Sequence, residues 1–297
     1  MRIGYFADGP WAHKAFDKIA SDPTIEIVFM TVRYDKRDAV LLQLAEKMGI
    51  PVELSSNINS QEFIDRIIGY QADLFVSMSF NQIFKDKMIN LPEHKTINCH
   101  AGKLPFYRGR NILNWALIND ETEFGITAHY MDEGIDTGDI IVQQTYPITD
   151  EDNYATLLEK AYDGCADVLY KAVKMIQSGE VKRIRQNDID PVGMYCGMRQ
   201  PGDEVIDWNQ SSREIFNFIR ALCLPGPQAT SWIAGKKISI NKARMIPGSH
   251  VYKNTAGQVI GKTKEGFLIK TGDTMLEIVD YTYDGKVKVG DRLKSHE

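Results

Sequence analysis

The sequence predicts a two-part protein, a mostly parallel α/β sheet followed by a small β-barrel, on three observations. Short apolar runs alternate with helical patterns through the first half. A stretch punctuated by Pro191, Gly193, Gly197 and Pro201 then interrupts them. Beyond it come short strands separated by turn signals. The expected division is 1–185, a linker over 186–203, and 204–297.

In order, 3–6 reads as the first strand and 11–19 as a helix, with Pro10 at its start, where a backbone N–H has no helical partner anyway. The run 26–32 reads as a buried strand, 40–48 as a helix, and 73–79 and 96–100 as further strands. Right-handed crossovers would bring these strand ends to one edge, where open α/β sheets bind ligands. Leu158, Ala161, Cys165, Val168, Leu169, Ala172 and Ile176 recur at helical spacing, which predicts one long amphipathic helix over 154–178. Ser211 and Glu214 form a capping box ahead of Ile215, Phe218, Ile219 and Leu222, and Pro225-Gly226-Pro227 stops that helix. The barrel strands are expected at 231–234, 237–241, 258–262, 267–271 and 275–280.

Composition narrows the function. At 297 residues, 43% hydrophobic and 25% charged, the chain is ordinary for a globular protein. It shows no run of membrane-span length and enters its first strand without a leader-like segment, so a cytoplasmic location is expected. The four cysteines, Cys99, Cys165, Cys196 and Cys223, are scattered without metal-ligand spacing. A net charge of −5 speaks against nucleic acid as the main partner. Neither a Gly-x-Gly-x-x-Gly after the first strand nor a P-loop is present, which disfavours dinucleotide and triphosphate chemistry.

The most informative stretch is Asn98-Cys99-His100-Ala101-Gly102-Lys103-Leu104-Pro105-Phe106-Tyr107-Arg108-Gly109, answered by Gly134-Ile135-Asp136-Thr137-Gly138-Asp139. Side chains alternate along a strand, so Asn98 and His100 share a face while Ile97 and Cys99 point the other way. An amide, an imidazole and a nearby carboxylate suit acyl transfer to an amine: the imidazole takes the amine proton and the amide donates to an oxyanion. Each element alone also reads blandly, as a satisfied polar pair and as a Gly/Asp turn.

Together with Leu104-Pro105-x-x-Arg108-Gly109 and Gly125-Ile126-Thr127-Ala128-His129, these motifs resemble the N10-formyltetrahydrofolate-dependent formyltransferases, over nearly the whole chain. Arg110-Asn111-Ile112-Leu113-Asn114-Trp115 resembles the helix after the catalytic loop of the nucleotide-sugar N-formyltransferases, and Val205-Ile206-Asp207-Trp208 the opening of the family's C-terminal domain. The resemblance implies a Rossmann-like first domain and an OB-like barrel. It implies Asn98, His100 and Asp136 as catalytic residues, with Asn98 donating to the formyl oxygen, His100 handling the amine proton or the oxyanion, and Asp136 supporting His100. It implies N10-formyltetrahydrofolate as formyl donor, held near Met78, Ser79, Phe80, Asn81 and Ile83 and near Asp132, Gly134, Ile135 and Gly138. Phe80 and Ile83 read equally well as core. No metal is required, although His100, His129 and Asp136 could in principle form a two-histidine, one-carboxylate site.

The family divides by acceptor amine. The methionyl-tRNA enzymes carry a long basic insertion after the second strand; here 33–38 runs directly into the next helix. From residue 200 onward, 14 Lys plus Arg against 11 Asp plus Glu give a weak basis for gripping phosphates. Gly102 stands where the tRNA enzymes usually show Ser. These departures favour a nucleotide-linked amino sugar, with a 4-amino-4,6-dideoxy sugar of surface-glycan synthesis expected, over methionyl-tRNA. Asp8, Trp11, Tyr107, Arg108 and Arg110 are the candidates to hold it, arginine by bidentate donation to a diphosphate and an aromatic ring against a base or sugar face. Trp11 reads equally as the apolar face of the first helix, and Arg108 as a loop brace. A homodimer is consistent with the resemblance, and nothing in the residues requires one. A folate- or nucleotide-sugar-binding module without catalysis is the contrasting reading; it would not need Asn98, His100 and Asp136 together.

Overall fold

The computed structural model describes residues 1–296, which divide into two compact units. The first comprises Met1–Arg110, Phe124–Tyr146 and Glu159–Cys196; the second comprises Asn111–Glu123, Pro147–Leu158 and Gly197–Glu297.

Along the chain, β1 (Arg2–Ala7), α1 (Gly9–Ala20), β2 (Glu26–Val32), α2 (Ala39–Met48), β3 (Leu74–Met78) and β4 (Thr96–His100) fall where the sequence predicts them, and α3 (Gln61–Ile67) and α4 (Asp86–Ile89) are two short helices it did not announce. There follow β5 (Arg108–Gly109), α5 (Ile112–Ile118), β6 (Glu123–Tyr130), β7 (Ile140–Pro147), α6 (Tyr154–Ser178), α7 (Gln186–Ile189) and β8 (Tyr195–Cys196). The main sheet has the order β2-β1-β3-β4-β6-β7. Strands β2, β1, β3 and β4 are parallel, and β6 joins β4 antiparallel. Both faces of the parallel strands are covered, which is why they read as unbroken apolar runs. Phe6, Phe29 and Phe75 pack with Phe63 of α3 and with Phe84 on one face. Tyr5 meets Phe16 of α1, and Cys99 contacts Cys165 of α6.

The stretch expected to be a linker is shorter than the sequence suggests. Its first eleven residues belong to the first unit, because α7 begins at Gln186 and β8 pairs in parallel with β5, Arg108 against Tyr195 and Gly109 against Cys196. Pro and Gly here shape a strap, not a free connection.

In the second unit, α8 (Ser212–Leu222) is followed by β9 (Ala229–Ile233), β10 (Lys236–Met245), β11 (Val259–Lys262), β12 (Phe267–Lys270), β13 (Met275–Tyr283) and β14 (Leu293–Lys294). Their order is β11-β12-β13-β10-β9-β14, and a bridge from Gln258 to Arg292 brings the two ends of that order together, curling the sheet into a barrel. The capping box is present: Ser211 Oγ accepts from the Glu214 N–H at 3.2 Å, and Glu214 Oε2 accepts from the Ser211 N–H at 2.8 Å. Ser211→Ala is therefore expected to cost about 1 kcal/mol, read as a lower urea midpoint with an unchanged slope.

Candidate active site

All residues of the site lie in the first unit. In the β4–β6 ladder, Asn98 stands opposite His129 and His100 opposite Thr127, so these four side chains share one face of the sheet. Asn98 Nδ2 lies 3.4 Å from His129 Nε2. His129 Nδ1 is 2.8 Å from the Tyr130 carbonyl and donates to it, which leaves Nε2 to accept from Asn98 in the neutral ring.

Asp136 reaches the same face from the turn between β6 and β7. Its carboxylate lies 3.6 Å from His100 Nδ1 through Oδ2 and 3.6 Å from His129 Nε2 through Oδ1, and Oδ2 accepts from the Gly109 N–H at 2.9 Å. The turn is built for this. Asp136 adopts φ +55, in the left-handed region, and a Cβ at Gly138 would fall 1.9 Å from the Tyr130 carbonyl oxygen, so only glycine fits there. Burial works to raise the Asp136 pKa, but the neighbouring His100 and His129 rings and the Gly109 N–H together hold it well below the usual carboxylate range.

His100 is half-enclosed by the loop that follows it. Its Nε2 lies 2.7 Å from the Tyr107 carbonyl and donates to it. The neutral ring therefore carries its lone pair on Nδ1, the nitrogen that faces Asp136. In a serine-protease triad the carboxylate fixes the tautomer; here the Tyr107 carbonyl does so, and Asp136 lies beside the other ring nitrogen. Burial lowers the His100 pKa below its ordinary 6.5; Asp136 and the Tyr107 carbonyl pull upward, and His129 lowers it further. A Cβ at Gly102 would sit 2.5 Å from both His100 Nε2 and the Tyr107 carbonyl oxygen, inside the bond these two atoms make. Thr127 Oγ1 donates to the Gly102 carbonyl at 2.7 Å, and Gln143 Nε2 donates to Thr127 Oγ1 at 2.8 Å and to the Leu104 carbonyl at 2.9 Å, so β6 and β7 brace this loop.

Among the residues expected to hold substrate, three have other work. Arg108 is 4% exposed, with its guanidinium on Gln186 Oε1, the Val192 carbonyl and the Tyr195 hydroxyl, so it braces the loop instead of facing a diphosphate. Trp11 packs edge-on against Tyr162, joining α1 to α6 as an apolar helix face would. Tyr107 is buried and acts through its carbonyl. Asp8, at the end of β1, lies 3.5 Å from Arg33, and Arg110 is exposed. Of the residues expected near folate, Met78 is buried and Phe80 packs with Phe6 and Phe84 in the core, whereas Ser79 and Asn81 are exposed and Ile83 is 74% exposed. Asp132, Gly134 and Ile135 form an exposed rim of the Asp136 turn, in which Asp132 Oδ1 accepts from the Gly134 N–H and the Thr137 hydroxyl. Gly138 is buried at the foot of the turn. Sequence reasoning missed Gln143 and Gln186, which have no motif around them and whose partners lie far away in the chain. Among the described residues, no group of three or more His, Cys, Asp or Glu side chains is arranged to hold a metal ion, and no helix is long and apolar enough to cross a membrane.

A mostly parallel open sheet whose β4 end carries an amide and an imidazole, opposed by a turn carboxylate, holds together the groups that acyl transfer to an amine would use. Comparison with known proteins makes the class specific. The formyl transferase family matches residues 1–173, and the formyl transferase C-terminal domain matches residues 199–292. A methionyl-tRNA formyltransferase of Halothermothrix orenii is 32% identical, over 97% of this chain and 94% of that protein. Among solved structures, WlaRD, a sugar 3N-formyl transferase crystallised with dTDP and 5-N-formyltetrahydrofolate, superposes with a TM-score of 0.68 at 21% identity, over 97% of this chain and 99% of its own. A 4-N formyltransferase from Francisella tularensis gives a TM-score of 0.66 at 22% identity, over 82% of this chain and 98% of its own. The chain belongs to the formyl transferase family and is a formyl-transferring enzyme.

Proposed function

We propose that the enzyme transfers the formyl group of N10-formyltetrahydrofolate to the amine of a nucleotide-linked amino sugar, using Asn98, His100 and Asp136. The observation that carries the chemistry is the free Nδ1 of His100 facing Asp136 at 3.6 Å, with Nε2 engaged by the Tyr107 carbonyl. The amine attacks the formyl carbon, a C–N bond forms, and the bond from that carbon to the folate N10 breaks. His100 Nδ1 accepts the amine proton and returns it to N10 as the leaving group departs. Asp136 stabilises the imidazolium between those two steps. Asn98 directs one amide N–H at His129, and its second N–H serves the developing oxyanion. The exposed Ile83 and Ile135, 74% and 60% accessible, give the folate apolar surface to cover.

The sugar as acceptor is supported by the β2–α2 connection. It spans only residues 33–38, and its Arg33 is already engaged by Asp8 and Asp35. With Lys36 and Arg37 as its exposed cations, this short connection offers a polynucleotide backbone only a small basic surface. Asp8 and Arg110 remain the candidates for sugar contact. The alternative, methionyl-tRNA, rests on the identity to the Halothermothrix orenii enzyme.

The deciding experiment is a mass-spectrometric assay with N10-formyltetrahydrofolate. UDP- and dTDP-linked 3-amino and 4-amino sugars are offered beside charged initiator methionyl-tRNA, with His100→Ala as control. A formyl group gained by a sugar and lost in the variant supports the proposal. Formylation of the tRNA alone, with binding that falls steeply as salt rises, replaces it with the alternative.

The same enzyme should show a characteristic pH dependence. Transfer needs a neutral His100, whose pKa is held below 6.5 chiefly by burial. The acidic limb of kcat is therefore expected to lie below pH 6.5, with activity falling as pH drops through it. A limb centred above pH 7 would assign the proton to another group.

A further inference from the structure

We infer that Gln186 is a positioning residue of the transfer reaction, because its single carboxamide locks the Asp136 turn to the loop that holds His100. The inference rests on the catalytic roles proposed above. Gln186 is 2% exposed. Its Oε1 accepts from Arg108 Nε and Nη2 at 3.0 and 2.8 Å, and its Nε2 donates to the Asp136 and Gly138 carbonyls, both at 2.8 Å. Both N–H donors and both acceptor sites of the amide are thereby filled.

The partners are what give this arrangement meaning. Tyr107, immediately before Arg108, supplies the carbonyl that fixes the His100 tautomer; Gly109, immediately after it, donates to the Asp136 carboxylate. Gln186 closes the circuit by joining the Arg108 side chain to the Asp136 backbone. Asp136 also sits at φ +55, a conformation that costs a non-glycine residue energy and persists only where its surroundings impose it. Carbonyl anchors at 136 and 138 are such an imposition. The short helix α7 does not call for this side chain, since its N-cap is Arg185 and it has no side-chain capping bond.

Two substitutions separate the roles of the two amide ends. Gln186→Met keeps the volume and removes both ends. Gln186→Glu keeps acceptors for Arg108 but turns an oxygen towards the two carbonyls, so the turn is released while the loop brace survives. The groups facing His100 are the Asp136 carboxylate, the His129 ring and the Tyr107 carbonyl. Losing the Asp136 contact removes an upward pull on the His100 pKa, which then falls.

The test is NMR titration of isotopically labelled histidine in wild type, Gln186→Met and Asp136→Asn, with kcat and KM measured for both glutamine variants. The expected result is a His100 pKa in Gln186→Met that falls by at least about half of the fall in Asp136→Asn. kcat should fall about tenfold or more in both variants while each KM stays within about threefold. An unchanged His100 titration in a folded Gln186→Met, or wild-type turnover in Gln186→Glu, overturns the inference. If Gln186→Met does not fold, Gln186→Glu decides by the kcat criterion; if neither folds, Gln186 is a structural residue and the inference falls. Should the wild-type enzyme formylate no amine, the proposed function fails, and the His100 titration still decides on Gln186.

Discussion

Replacing His100 by alanine is expected to lower kcat about a thousandfold, within the range general acid–base groups contribute, and to leave the affinity for a non-transferable formyl-folate nearly unchanged. The argument is geometric. His100 Nδ1 is the one ring nitrogen left without a hydrogen bond, and it stands on the face where Asn98 and Asp136 converge. Alanine removes the proton acceptor without touching the exposed rim at Ile83 and Ile135 that would cover the folate. Single-turnover formyl transfer, with calorimetric binding of 5-formyltetrahydrofolate alongside, separates the two effects. A variant retaining more than about a tenth of wild-type turnover would take His100 out of the proton path.

Asp136→Asn should be nearly as damaging. An imidazolium and a carboxylate 3.6 Å apart attract by about 4–5 kcal/mol at an effective dielectric constant near 20. Water and the asparagine amide restore part of that, so a loss on the order of 10²–10³-fold in kcat is expected. Asparagine can keep the bond from the Gly109 N–H, which makes this a test of charge more than of turn geometry. The pH profile carries a second signature. Asp136 pulls the His100 pKa upward against burial, so without it the acidic limb moves to lower pH. A limb that stays in place would mean the two groups are uncoupled.

Much of this was legible in the sequence. The period-two alternation put Asn98 and His100 on one face, and the ladder to β6 confirms that geometry. The Asp136 turn announced itself through Gly134 and Gly138, where there is no room for a side chain. The long helix and the capping box lie where spacing placed them because both signals are local. What could not be read is what depends on distant partners. Arginine is equally at home on a phosphate or in a buried brace, and only the arrival of Gln186, 78 positions later, makes Arg108 the latter. The Pro- and Gly-rich strap looked like a linker because its pairing with β5 leaves no mark on composition. The Tyr107 carbonyl was invisible for a simpler reason: a backbone atom has no letter in the sequence.

The antiparallel pairing of β4 with β6 bears on how such an enzyme diversifies. Asn98, His100, Thr127 and His129 are spaced by the hydrogen-bond ladder of two interior strands, not by any loop. A slip of one residue would turn a whole set to the opposite face, so the register is inherited or lost as a unit. The exposed residues 34–37 of the β2–α2 connection are under no such constraint and can change character while the spacing stays fixed. Chemistry and recognition are thereby uncoupled in heredity. One scaffold can then serve relatives whose names carry a transfer RNA in one case and a sugar in another.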